Sequence, residues 1–158
     1  MALSARFAVA VHTLGLLAIA GGGPVSSERI AASVRTNAVT IRRLFQALGR
    51  AGLVVGQMGP NGGARLARPA DEITLAEVWR AVETGDLFAF AASGGNPGCA
   101  VSCAVQPVLG EIFDDAEHAL EAVLGEVTLA TVAERVRSRA LDPRPPDPLP
   151  AHSLPVAG

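Results

Sequence analysis

The sequence contains no lysine and no tyrosine, and its 158 residues include only five phenylalanines, one tryptophan and two cysteines. So few aromatic rings argue against a carbohydrate-stacking cleft and against a sheet that stacks single-stranded bases. Two cysteines cannot build a disulfide scaffold, nor a four-thiolate zinc site unaided. The apolar run at residues 7–20 falls short of the ~20 residues needed to span a bilayer. Apolar material is not scarce, however. The chain is 49% hydrophobic and 18% charged, which is enough for one buried core and excludes global disorder.

With lysine absent, all thirteen basic residues are arginine, and they are unevenly placed. Residues 1–68 hold eight arginines against a single acid, Glu28, for a net charge of +7. Residues 69–158 hold five against fourteen acids, for a net −9, so the overall −2 conceals two opposite halves. A basic surface for a polyanion, joined to an acidic part with another task, is one reading. A solvated surface in an arginine-rich chain is the other.

Arg6 before an apolar run ending in Ala18-Ile19-Ala20 has the outline of a secretory signal peptide. His12 and Thr13 interrupt that run, and Phe7, Val11, Leu14 and Ala18 equally form the stripe of a buried helix. Gly21-Gly22-Gly23-Pro24 ends it. Ser26 and Ser27 are placed to cap a short helix over 28–34, and Asn37 or Thr36 to cap a third running to about Leu48. The third helix has Val39, Ile41, Leu44, Phe45 and Leu48 at helical spacing, with Thr40, Arg42, Arg43 and Gln46 near the opposite face. Strands at 53–55 and 64–68 flank the turn Gly59-Pro60-Asn61-Gly62-Gly63. The expected fold is therefore mainly α with a small β-hairpin wing: a winged helix-turn-helix over residues 1–69, whose third helix fits a major groove.

Thr74-Leu75-Ala76-Glu77 is a capping-box sequence opening a helix to Val82. Residues 70–98 read as this linking helix and a flexible sensor loop, and residues 99–140 as dimerisation helices. The first of these begins near Gln106-Pro107 and runs to 127, with an apolar seam of Leu109, Ile112, Phe113, Ala116, Leu120, Val123 and Leu124. Residues 141–158, with six prolines, read as a disordered tail.

The run at residues 4–12, the segment 36–53, the glycine-rich 59–63 and Ile73-Thr74-Leu75-Ala76-Glu77-Val78 together resemble the Rrf-two family of bacterial winged-helix transcription regulators. The resemblance covers about residues 1–139. It implies a cytoplasmic homodimer, linked through the long helix, that binds double-stranded DNA at palindromic operators as a repressor, with no membrane contact. It makes residues 7–20 the first helix of the fold. It places base reading at Asn37, Val39, Arg42 and Arg43 and the wing at 59–63. Ser27, Thr36, Thr40, Arg50, Asn61, Gly62, Gly63 and Arg65 complete the expected DNA-binding set. Met58 stands where several members carry arginine before the wing, which leaves Arg65 as the substitute.

Several members of that family hold an iron–sulfur cluster with three cysteines before the long helix. Here there are two, Cys99 and Cys103. A [2Fe–2S] cluster takes four ligands, so His12 is the further candidate if a cluster is bound. The alternative is a thiol switch, in which the pair is oxidised to a disulfide or sulfenate and shifts the long helix. An inert pair is the third reading. No enzyme is indicated, since the glycines at 59–63 lack the Lys-Ser/Thr that follows a nucleotide-binding loop. A winged helix used for protein contact is the rival class, and salt dependence separates it from DNA binding.

Overall fold

The computed structural model describes residues 3–59, 62–83, 85, 87–88, 96 and 98–141. The expectations for Asn61, for most of the flexible sensor loop at 91–98 and for the tail from 142 onward lie outside these residues. Helix α1 spans Leu3–Ile19 and buries Ala10, Thr13, Leu14 and Leu17. It stops where Gly21 and Gly22 take left-handed φ values of 68° and 95°, which a side chain would resist. Helix α2, Ser27–Val34, is capped by Ser26, whose hydroxyl accepts from the Arg29 N–H at 3.2 Å. Helix α3, Ala38–Arg50, is capped by Asn37, which accepts from the Thr40 N–H at 2.8 Å. Ile41, Leu44 and Leu48 point inward from α3 at helical spacing.

Strand β1, Val54–Gln57, pairs antiparallel with β2, Gly63–Leu66, in the register Val54 to Leu66 and Gln57 to Gly63. Leu53, expected within the strand, is buried and returns its N–H to the Leu48 carbonyl, so it closes the turn out of α3 instead. Val25 bonds to Ala64 in both directions, at 2.9 and 3.0 Å, and fastens the hairpin to the start of α2. A 3-10 turn over Ala70–Glu72 leads to helix α4, Leu75–Val82, opened by the expected capping box of Thr74 and Glu77.

Helix α5 spans Ala100–Gly125 and begins well before the expected start at Gln106, so Pro107 lies inside it. The Asn96 turn accounts for the early start. Its carbonyl accepts from the Cys99 N–H at 3.0 Å, and its side chain from the Gly98 N–H at 2.9 Å. Proline in a helix removes one hydrogen bond but need not end the helix when the flanking turns are held. The apolar seam divides in two. Phe113 stacks on Phe88 with centroids 4.5 Å apart, and Leu109, Ala116, Leu120 and Leu124 are half-buried. Val101, Val105, Val108, Ile112 and Val123 are exposed.

Helix α6, Leu129–Ala140, returns to the first unit. The Leu129 N–H bonds to the Ile73 carbonyl at 2.8 Å, and Leu129 and Ala133 are buried where α6 packs on α1. Among the described residues, no helix is long and apolar enough to cross a membrane.

The base of the wing is fixed by Arg68, whose Nη2 lies 2.6 Å from the Glu77 carboxylate. The Thr74 backbone N–H and then Arg68 hold the Glu77 carboxyl below its ordinary value of 4.5. Because the folded value is the lower one, the stabilisation is complete above 4.5 and is lost as pH falls through the folded value. Glu77→Gln should therefore lower the melting temperature at neutral pH, by less than a fully buried pair would give because the pair is a third exposed. As pH falls through the folded value the melting temperatures of the variant and the parent should converge. A gap that persists into acid would count against this pair.

Candidate nucleic-acid interface

Helices α2 and α3 with the β1–β2 hairpin place one face of α3 beside the wing. On that face Asn37, Val39, Arg42, Arg43, Gln46 and Arg50 are exposed, while Thr36 and Thr40 are half-buried. The Asn37 side-chain oxygen takes both the Thr40 N–H and its hydroxyl, at 2.8 and 3.1 Å, which leaves its amide NH2 outward. Val39 is 53% exposed, an apolar group suited to a thymine methyl in a polar surround.

The arginines of this face fall into distinct settings. The Arg42 Nε donates to the Ser27 hydroxyl at 3.2 Å, and its Nη2 pairs with Glu28. The Glu28 carboxyl sits below its ordinary value through its own backbone N–H and then through Arg42. Arg43 and Arg50 have no ion-pair partner among the described residues. With Arg6 of α1 they line a cleft of about 370 Å³ between α3, α1 and the end of α4. Arg6 also donates to the Val82 carbonyl at 3.0 Å, at the negative end of α4. Three guanidiniums around one cleft suit a phosphate. Arg6 was not in the expected set because an apolar run surrounds it, although it is the first charge in the sequence and the only one before Glu28.

Arg65 is exposed on β2, and its nearest bond is a long one, 3.4 Å to the Leu66 carbonyl. Met58 is almost wholly exposed at the wing, next to Gly59 with φ +113°. Gly62 and Gly63 have a local reason for lacking a side chain. A Cβ on Gly63 would lie 2.3 Å from the Val25 carbonyl oxygen, and one on Gly62 would lie 2.5 Å from that of Gln57. A second cleft, about 340 Å³, runs between Arg42 and Phe45 of α3 and the wing residues Gln57, Gly59 and Gly62. Helix and wing thus border one groove.

The family model named Rrf2 (Rrf-two), described as an iron-dependent transcriptional regulator, matches residues 3–135. The chain belongs to the Rrf2 family. It is 35% identical over 130 residues to YwnA of Bacillus subtilis, provisionally named an HTH-type transcriptional regulator, covering 82% of this chain and 96% of that protein. Among solved structures, one provisionally described DNA-binding protein shares 34% identity over 80% of this chain and 97% of its own, with a TM-score of 0.65. IscR from T. potens shares 25% identity over 87% and 89%, also with a TM-score of 0.65. This Rrf2 chain is thus a winged-helix transcriptional regulator, and its relatives are regulators rather than enzymes.

The iron in the family description directs attention to the cysteines. Cys99 precedes the first turn of α5 and Cys103 lies one turn on, its N–H bonded to the Cys99 carbonyl at 3.0 Å, with both residues exposed. His12 is elsewhere, with its Nε2 3.0 Å from the Ser33 hydroxyl and its ring beside an apolar cleft shared with Val132 and Val136. Among the described residues, no three His, Cys, Asp or Glu side chains are grouped to hold a metal ion. Two thiols supply half the ligands of an iron–sulfur cluster. The described residues of one chain do not fit that group.

The close approach at Gly63 gives a test of how the wing is fastened. Gly63→Ala must push the hairpin off Val25 and should destabilise the protein by on the order of 2 kcal/mol in a urea titration. Gly56→Ala in the facing strand, where a Cβ meets nothing within 4 Å, should unfold with the parent. Equal behaviour of the two variants would remove this account of Gly63.

Proposed function

We propose that this Rrf2 protein is a cytoplasmic homodimeric repressor that binds palindromic operators in double-stranded DNA and responds to oxidants at Cys99 and Cys103. The observation that carries the DNA reading is the exposed arginine face of α3, whose Arg42 edge borders a groove with the wing and whose Arg43 and Arg50 edge borders a cleft with Arg6. In this reading α3 enters the major groove with Asn37, Val39 and Arg42 toward the bases. The wing, with Arg65 and the turn that contains Asn61, approaches the adjacent minor groove. Arg43, Arg50 and Arg6 grip phosphates, joined by Thr36 and Thr40 at the edge of the face, while the buried Ser27 contributes through its hydrogen bond to Arg42.

Dimerisation through α5 is supported by its surface. Its 26 residues include none that is buried, and Val101, Val105, Val108 and Ile112 recur at steps of four, three and four. That is the spacing of a helix-pairing seam. A winged helix used only for protein contact has no need of this arginine face.

Arg42→Ala combined with Arg43→Ala should weaken binding to a duplex selected from a random pool by about tenfold or more, and should flatten its salt dependence. Sedimentation should still report the dimer. Undiminished affinity would refute the assignment of α3.

The two thiols stand one helical turn apart at the start of the helix that carries the valine stripe. A peroxide would oxidise them. With hydrogen peroxide, two S–H bonds and the O–O bond break, one S–S bond and two O–H bonds form, and two waters leave. Treatment with peroxide should change operator affinity in the parent and leave Cys103→Ser unaffected. The same response in both proteins would exclude the cysteine pair as the sensor.

A further inference from the structure

Glu28 is the one acid in the first 68 residues, a segment with eight arginines. It lies on the face assigned to DNA, where a carboxylate repels phosphate. Its partner there is Arg42, on the helix proposed to read bases. Both side chains are largely exposed, 58% for Arg42 and 62% for Glu28, so the pair is too wet to be explained by fold stability. The contrasting pair, Arg68 with Glu77, is about a third exposed and ties the wing to α4.

We propose that Glu28, together with Ser27, is a positioning residue that fixes the direction in which Arg42 meets DNA, and so makes the protein select guanine at one position in each half-site. This rests on the DNA-binding reading above.

A guanidinium has five N–H donors in a rigid fork. Ser27 takes the Nε–H, and Glu28 takes one N–H of Nη2. Those two donors form one edge of the group. The three that remain, two on Nη1 and one on Nη2, include the forward pair. That pair matches the adjacent O6 and N7 acceptors of guanine, the commonest specific arginine contact in a major groove. Both tethers come from the first turn of α2, which Ser26 caps, and Ser27 itself is buried, so the anchor is rigid. The Glu28 backbone N–H and then the Arg42 guanidinium hold its carboxyl below the ordinary value, so it meets Arg42 as a carboxylate at neutral pH. Arg43 and Arg50 have no such tethers among the described residues and keep the rotational freedom that suits a phosphate grip.

The carboxylate also weakens attachment to arbitrary DNA, because it repels the backbone wherever Arg42 finds no matching base. Attraction to the right site and repulsion from the wrong one both raise specificity.

The test selects duplexes from a randomised pool with the intact dimer. It then compares the selected duplex with one carrying adenine in place of the guanine whose contribution is lost in Arg42→Ala. Glu28→Ala should bind random-sequence duplex as well as the parent or better, while its preference for guanine at that position falls about tenfold. Glu28→Gln, which keeps an accepting oxygen, should retain most of the preference. Arg42→Lys, which keeps the charge without the fork, should lose it with Glu28 intact, and this arm stands even if Glu28→Ala folds poorly. An unchanged preference in Glu28→Ala or Arg42→Lys overturns the proposal, as does an equal loss of affinity for selected and random duplex. A parent protein that enriches no sequence and binds no duplex overturns the DNA-binding reading itself, and this inference with it.

Discussion

The wing is joined to the helix-turn-helix by two main-chain hydrogen bonds between Val25 and Ala64, and much of the candidate interface depends on that junction. Gly63 can sit beside Val25 only because it has no Cβ. The residue after Val25 is Ser26, which caps α2, and the two after that are Ser27 and Glu28, which hold Arg42. One short stretch of chain therefore sets the height of the wing, starts a helix and aims a side chain of α3. Such dependence among neighbours means that substitutions there will not act additively.

A chain without lysine must do every cationic task with arginine, and the structure separates those tasks by partner. Arg68 and Arg80 are committed to carboxylates: Arg68 ties the wing to α4, and Arg80 ties α4 to Glu121 of α5 at 2.6 Å. The latter contact raises the Arg80 pKa and lowers that of Glu121, so the link holds across the neutral range. Arg6 divides its guanidinium between the end of α4 and the open cleft. Arg43 and Arg50 face that cleft with no ion-pair partner among the described residues. Of these two pairs Arg68 with Glu77 joins the basic half to the acidic one, whereas Arg80 and Glu121 both belong to the acidic half.

The sequence was most legible where a backbone requirement selects a residue type. Ser26, Asn37 and Thr74 are caps, Gly21 and Gly22 end α1, and the glycines at 59–63 mark the wing; each feature has a local signature. The placement of α3 and the exposure of Asn37, Arg42, Arg43 and Arg50 followed from its apolar spacing. Three features were not legible, for different reasons. Pro107 suggested a helix start because proline is favoured there, but the Asn96 turn had already begun the helix. The division of the α5 seam depends on which neighbours cover it, and Phe88 lies far off in sequence. The pairing of Arg42 with Glu28 joins two helices across fourteen positions, a distance at which no periodicity operates.

Helix α5 raises the remaining structural question. At 1.5 Å per residue its 26 residues extend roughly 39 Å, too far for one small domain to cover. It rests on α4 through Arg80 and Glu121, and on residues 87–88 through the Phe113 stack and the bond from the Leu87 N–H to the Glu117 carboxylate at 2.9 Å. Among the described residues, the valines and isoleucine of the stripe from Val101 to Ile112 remain exposed. On the proposed reading a second copy covers them, and the spacing of two α3 helices then depends on how the α5 helices pair. Palindromic half-sites one helical turn apart require that spacing to be held near 34 Å. Cys99 and Cys103 flank Val101 in the first turn of α5. A bond formed between them would therefore act at the edge of the pairing seam, remote from the DNA but directly on the element that sets the half-site distance.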